Sequence, residues 1–344
     1  MVERADSAYP KALARRLVTI PVLFLALAAT IILSPLLVLV AGAFDMLRAD
    51  RGWPSVRMVG FLLAYLGYES LGVLRAGWIW ISQPVSRRTW ADRNHRLQLW
   101  WVRSLVRAGG PILGLRLEVE TVGPLRPGPL IVAGRHVSII DALLPAAVLG
   151  LDADLGLRYV LTRGLRLDPC LDIVGHRLPN HFIDRQGSNS AAEVAALERL
   201  GGDLGDDDAV VIFPEGGLFT PERRQRTLDH LDRTGSDRLE TAQGLRNLLL
   251  PRRAGISALM RAAPVADLMV VGHVGFEPLG SVKALWRALP LTDPVRLRIE
   301  RFDRSGLPLD ERGWVRWLDA RWTAMDEWLT EMSGESEPTS EGVS

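Results

Sequence analysis

The first quarter of the chain carries two long apolar runs without a polar period. Between Arg16 and Asp45 runs LVTIPVLFLALAATIILSPLLVLVAGAF, with no charged side chain. A helix crosses a bilayer core with roughly 20 apolar residues, so this run is long enough to span. It is too long for a signal-peptide core, and no small-residue cleavage site followed by a polar start is evident. Pro35 predicts a kink. A second apolar stretch, 58–81, contains Glu69 and Arg75. Charges in lipid must pair, snorkel or face protein. This stretch therefore either spans or lies at the interface, with Trp78 and Trp80 as anchors. Together the two predict a membrane hairpin within residues 1–90, at about 17–44 and 58–81. The alternative for each is a helix of a soluble core.

After residue 90 the pattern alternates. LQLWWVRSLVRAGG predicts a helix that stops at its glycines. LRLEVE (115–120) and PLIVAG (129–134) predict strands around a Gly/Pro turn. DALLPAAVLG predicts a helix, LRYVLT a strand and HFID (181–184) a short strand. SNSAAEVAALERLGG has a Ser/Asn start, an alanine-rich body and a Gly-Gly stop, so it predicts a helix. DDDAVVIFPEGG predicts a buried strand running into a glycine turn; ADLMVVGHVGF and PVRLRIERF predict two more strands. Short apolar strands alternating with helices indicate an α/β domain over 91–332, with a sheet covered by helices. The final helix carries Trp314, Trp317, Trp322 and Trp328, mostly on one stripe that either packs or touches a membrane surface. Residues 333–344 have the composition of a disordered tail.

Composition changes this picture little. Formal net charge is +1, which gives no reason to expect nucleic acid as a partner. One cysteine, Cys170, excludes an intrachain disulfide. Lys11, Arg15 and Arg16 precede the first apolar run, and Arg87, Arg88, Arg93 and Arg96 follow the second. The link carries Arg48, Arg51 and Arg57, which blurs the contrast. The better fit is a hairpin in the cytoplasmic membrane with both ends, and the large domain, on the cytoplasmic side.

Candidate chemistry sits where strands end, the usual place for sites in open α/β sheets. GRHVSIID places His136 after a strand and Asp141 five positions on. In a tight turn a carboxylate at that spacing can hold one imidazole nitrogen and leave the other as a base. The same pair is also compatible with a satisfied histidine at a helix start. FPEGG puts Glu215 at a second strand end, followed by Gly216 and Gly217, which allow close backbone approach or simply a turn. HFIDR puts Arg185 at a third, suited either to a phosphate or to a surface ion pair. Ser138 beside His136 suits local hydrogen bonding in the turn, or a substrate contact. His176 and His181 lack the i, i+4 spacing of a helical metal pair. No Gly-x-Ser-x-Gly elbow supports a serine hydrolase.

Taken in order, these blocks resemble the glycerolipid acyltransferases, the group containing 1-acyl-glycerol-3-phosphate acyltransferases. RHVSIID matches the His-x4-Asp (HX4D) box, FIDR the second block and FPEGG the third, and APV (263–265) is similar to the fourth. LLLPRRAGISALM also resembles the branch with lysophospholipid and lysocardiolipin acyltransferases. The resemblance covers roughly 115–275. It implies a membrane-bound enzyme of phospholipid biosynthesis. The enzyme would move an acyl group from acyl-CoA or acyl carrier protein to a lysophospholipid hydroxyl, with 1-acyl-glycerol-3-phosphate (lysophosphatidic acid) as first expectation. A non-catalytic membrane scaffold on the same fold is the alternative from another class. His136 would be the general base and Asp141 its orienting partner. Arg185 would hold the acceptor phosphate; Glu215 and Gly216, with Gly217 and Ser138 beside them, would shape the acceptor pocket. No cofactor or metal is implied. The chain departs from the family at Arg135, where many members have Asn, and at Gly217, where many have Thr. Arg223, Arg224 and Arg226 either compensate on the phosphate side or form a solvated basic run.

Overall fold

In a computed structural model, residues 9–86, 88–183 and 191–334 are described. Helices α1 (Tyr9–Leu47), α2 (Pro54–Ile81) and α3 (Trp90–Leu113) precede strands β1 (Leu117–Val122) and β2 (Leu130–Gly134). A helical turn, Ile139–Ala142, leads into α4 (Leu143–Pro145) and the wider turns of Ala146–Asp152. Then come β3 (Gly156–Thr162), α5 (Pro169–Arg177), β4 (His181–Ile183), α6 (Ala191–Gly201) and β5 (Asp208–Ile212). The rest comprises α7 (Pro221–Arg233), α8 (Leu239–Gly244), α9 (Arg253–Ala262), β6 (Asp267–Val274), α10 (Val282–Ala288), β7 (Val295–Phe302) and α11 (Glu311–Gly334).

The chain divides into two units, Met1–Leu115 with Leu161–Asp184 and Trp286–Thr292, and Arg116–Val160 with Arg185–Leu285 and Asp293–Ser344. The division differs from a cut at residue 90, because α3 packs on α2 and α5 and so joins the first unit. Within that unit α1 and α2 are both long and apolar enough to cross a membrane. On α1 the residues Leu17, Val22, Leu25, Ile32 and Leu39 are each more than half exposed. A helix in a soluble core would bury them. The turn between the helices is closed by Asp45, which is wholly buried and accepts the N–H groups of Ser55 and Val56 that α2 leaves open at its start. Of the two charges of the second apolar stretch, Glu69 is buried and Arg75 is exposed beside an aromatic ring. Glu69 accepts the Cys170 N–H at 3.3 Å, and the Arg75 guanidinium lies 3.6 Å over the Trp100 ring. Arg15 and Arg16 both bind Asp172 of α5, at 2.5 and 2.7 Å.

The close approach of α2 and α5 depends on Gly72, where an added Cβ would lie 2.5 Å from the Cys170 sulfur. Gly72→Ala should therefore lower the melting temperature, since overpacking costs about 1–3 kcal/mol. Gly77→Ala is the control. It lies on the same helix with nothing within 4 Å, so it should hold or raise the melting point through helix propensity. Equal melting of the two variants would contradict the contact.

The second unit is built on a mixed sheet ordered β1-β7-β6-β2-β5-β3. β2 is central and parallel to both neighbours, with Leu130–Gly134 opposite Asp267–Val271 of β6 and Leu130–Ala133 opposite Ala209–Ile212 of β5. β7 pairs antiparallel with β6, and β1 pairs parallel with β7, so these two strands oppose the others. Every residue of β2 is buried, which explains why LIVAG reads as a continuous apolar run with no alternation. Ile131, Val210, Ile212 and Leu268 form one core with Leu197 of α6, Ile256 and Leu259 of α9, and the apolar side of α11. Trp314, Trp322 and Trp328 belong to that core, so the tryptophan stripe packs inside the protein. Parallel β2, β5 and β6 end at the same edge of the sheet, and this brings their following residues together.

Candidate active site

The three central strands deliver four polar residues to that edge. β2 delivers Arg135 and His136, β5 leads to Glu215, and β6 carries His273. Gly134 permits the first of these. A Cβ there would lie 2.9 Å from the Phe213 ring, and the ring then stacks on the His136 imidazole at 4.5 Å. The His136 backbone is held from both sides. Its N–H donates to Glu215 Oε1 at 2.7 Å, and its carbonyl accepts the Phe219 N–H at 2.8 Å.

Asp141 closes the turn as the spacing predicted. Its Oδ2 accepts the N–H groups of Val137 at 2.6 Å and Ser138 at 2.7 Å, and lies 3.1 Å from His136 Nδ1. Asp141 is 1% exposed, while the His136 side chain remains 17% exposed. With Nδ1 on the carboxylate, Nε2 is the nitrogen directed away from it. That is the arrangement of a general base with a fixed tautomer.

Glu215 is wholly inside. Its second oxygen accepts the Leu249 N–H at 2.9 Å, so one carboxyl group joins two loops. Burial pushes it up to about 8, and Asp141 adds to the rise. The N–H groups of Leu249 and His136 and the Arg135 charge act the other way. Ser138 is also fully buried. Its hydroxyl accepts the Ile140 N–H and donates to the Leu279 carbonyl, so it serves the turn and is closed to a substrate contact. Arg185 lies outside the described residues.

Gly216 and Gly217 have a specific use. Gly216 has φ +70°, and a Cβ on it would lie 2.6 Å from Arg252 Nε. A Cβ on Gly217 would overlap the Arg223 guanidinium. That guanidinium lies over the second glycine, where a side chain would displace it. Behind the turn is a cavity of about 760 Å³. Its lining includes Gly216, Arg223, Arg226, His230, Arg252 and Arg253. Such a cation-rich wall suits an anionic, phosphate-bearing group.

Two residues of this edge carried no signal in the sequence. His273 read only as a strand residue, and Arg135 only as a departure from the expected Asn. Arg135 is 3% exposed and donates to the His273 carbonyl and to Glu277 Oε1, both at 2.5 Å. Among the described residues no group of three or more His, Cys, Asp or Glu side chains gathers as a metal site.

Residues 116–273 match the family model described as Acyltransferase. Nothing among curated proteins matches the chain. Among solved structures, it is similar to the 1-acyl-sn-glycerophosphate (LPA) acyltransferase, PlsC, from Thermotoga maritima. That structure shares 16% identity and a TM-score of 0.48, covering 80% of this chain and 98% of the other.

Proposed function

We propose that the chain, whose residues 116–273 match the family model described as Acyltransferase, is a membrane-bound O-acyltransferase acting on a lysophospholipid. The first-choice acceptor is 1-acyl-glycerol-3-phosphate, and the product is phosphatidic acid. The observation that carries this reading is the His136–Asp141 pair at 3.1 Å, with the second imidazole nitrogen turned away from the carboxylate.

In this reading the proton is handled by the His136–Asp141 pair. His136 Nε2 takes the proton from the acceptor hydroxyl, and the oxygen attacks the thioester carbonyl. Asp141 stabilises the imidazolium that forms. The carbon–sulfur bond then breaks, an ester remains on the acceptor, and the CoA or carrier-protein thiol leaves with the proton from His136. The arginine-lined cavity would hold the acceptor phosphate. α1 and α2 would tether the enzyme in the cytoplasmic membrane, with the catalytic unit on the cytoplasmic side, where both substrates are met.

The test is acyl transfer from labelled acyl-CoA, and separately from acyl carrier protein, to a panel of lysophospholipids with different headgroups. Lysophosphatidic acid is expected to be the best acceptor. Arg223→Ala should raise its KM about tenfold or more with little change in kcat, the loss expected for a charge-assisted phosphate contact. Preference for a headgroup diester would move the assignment to another lysophospholipid. That outcome has its own support, since Arg252 and Arg253 come from the stretch resembling the lysophospholipid branch. No transfer to any acceptor from either donor would overturn the enzyme reading in favour of a scaffold.

A further inference from the structure

The catalytic carboxylate has a second imidazole on its far side. β6 lies beside β2, with Gly134 opposite Val271, so the residues that follow meet at one level. There His273 Nε2 stands 3.4 Å from Asp141 Oδ1. Both side chains are about as buried as a protein allows, at 2% and 1% exposed. Among the described residues, Asp141 Oδ1 and both His273 ring nitrogens lack any other hydrogen-bonding partner. Buried polar atoms are nearly always satisfied. A closure of about 0.5 Å would bring this pair to an ordinary N–H···O length.

The surroundings leave His273 in one form. Burial pushes its imidazole down to about 4, and Arg135 acts in the same direction, while Asp141 and Glu277 oppose. It is therefore neutral at neutral pH, with a single N–H to give. Its backbone is pinned by Arg135, and its ring meets Phe276 at 5.4 Å. Asp141 Oδ2 is already shared by His136 and two backbone N–H groups. A carboxylate held through one oxygen can still pivot; one held through both cannot.

We propose that His273 is a positioning residue whose Nε2–H holds Asp141 Oδ1, so that the carboxylate is clamped between two imidazoles and stays aligned on His136. The proposal rests on the acyl-transfer reading of His136. It adds to the dyad a member that acts through Asp141 and never touches substrate.

Two substitutions separate alignment from packing. His273→Gln keeps a neutral N–H at nearly the same place, and His273→Leu removes it. On the acceptor identified by the panel, His273→Leu should lower kcat about 10- to 100-fold at unchanged KM, the scale of loss when a catalytic group is misaligned by up to about 1 Å. It should also move the acidic limb of the kcat–pH profile. His273→Gln should stay within about threefold of wild type, with the limb in place. Wild-type behaviour of both variants would overturn the proposal. So would equal loss in both with an unmoved pH profile, which marks a packing role.

A second readout does not need turnover. Nitrogen NMR of the full chain in detergent, labelled at its histidines, should show His273 neutral and protonated at Nε2 at pH 7. A charged ring, or a proton on Nδ1, would overturn the contact. If the wild type transfers nothing, the acyl-transfer reading fails, and the tautomer still decides whether the clamp exists.

Discussion

Membranes carrying His136→Ala should transfer acyl groups about a thousandfold more slowly than wild type, with the protein still folded. The size follows from the role. A positioned general base contributes about 10²- to 10⁴-fold, and the nucleophile here is an alcohol that cannot attack without losing its proton. The fold should survive because His136 contributes little to the core. Its side chain keeps 17% exposure, and its main packing contact is the stack on Phe213, worth about 0.5–1.5 kcal/mol. Asp141 would be a less clean target, since its Oδ2 also ties down the Val137 and Ser138 N–H groups. Rates on the preferred acceptor, measured beside melting curves, decide the matter. A His136→Ala protein that melts normally and turns over within tenfold of wild type would remove His136 from the chemistry.

Glu215→Ala should destabilise the fold strongly. It strips the acceptor from two buried N–H groups, on His136 and Leu249, and each unsatisfied donor costs about 1–3 kcal/mol. The loss is therefore about 2–6 kcal/mol, and activity should fall with it, because the His136 backbone loses one of its two supports. Glu215→Gln should lose about half as much, since the amide oxygen still satisfies one N–H while its NH2 faces the other. Glu215 also predicts a pH dependence. Its folded value is raised from 4.5 to about 8, so between those values the folded state holds a proton that the unfolded state has released. Wild-type stability should then fall as pH rises from about 4.5 to about 8 and level off above, and that slope should be missing in Glu215→Gln. Thermal melting at pH 5, 6.5 and 8 measures it. Identical slopes in the two proteins would mean that Glu215 is ionised in the fold.

Some of this was legible because its physics is local. The described strands announced themselves as short apolar or alternating runs bounded by turn residues, and β5, DAVVI with its last four residues buried, ended at FPEGG as expected. β1 starts two residues later than the apolar pattern suggests, because its pairing with β7 begins only at Leu117. The His-x4-Asp spacing also closes within one turn, so its geometry is a property of eight residues. Other elements gave no period to read. α7 buries no residue, and its PERRQRTLDHLDR looked like a solvated basic run. Only Thr220, whose side chain accepts the Arg223 N–H, and Pro221 in the first turn marked it as a helix.

The sequence by itself therefore determined the apolar hairpin, the order of strands and helices, and the His136–Asp141 pair, since each depends on neighbours within a few positions. Only the tertiary structure decided what lies beside that pair. Glu215 reaches the His136 N–H across 79 positions, and Arg135 reaches Glu277 across 142. His273 comes to Asp141 because β6 pairs with β2, a choice of partner made by the buried faces of the whole sheet. No residue type or spacing records such contacts, because a chain carries its local geometry in its sequence but its distant pairings only in the packing that folding selects.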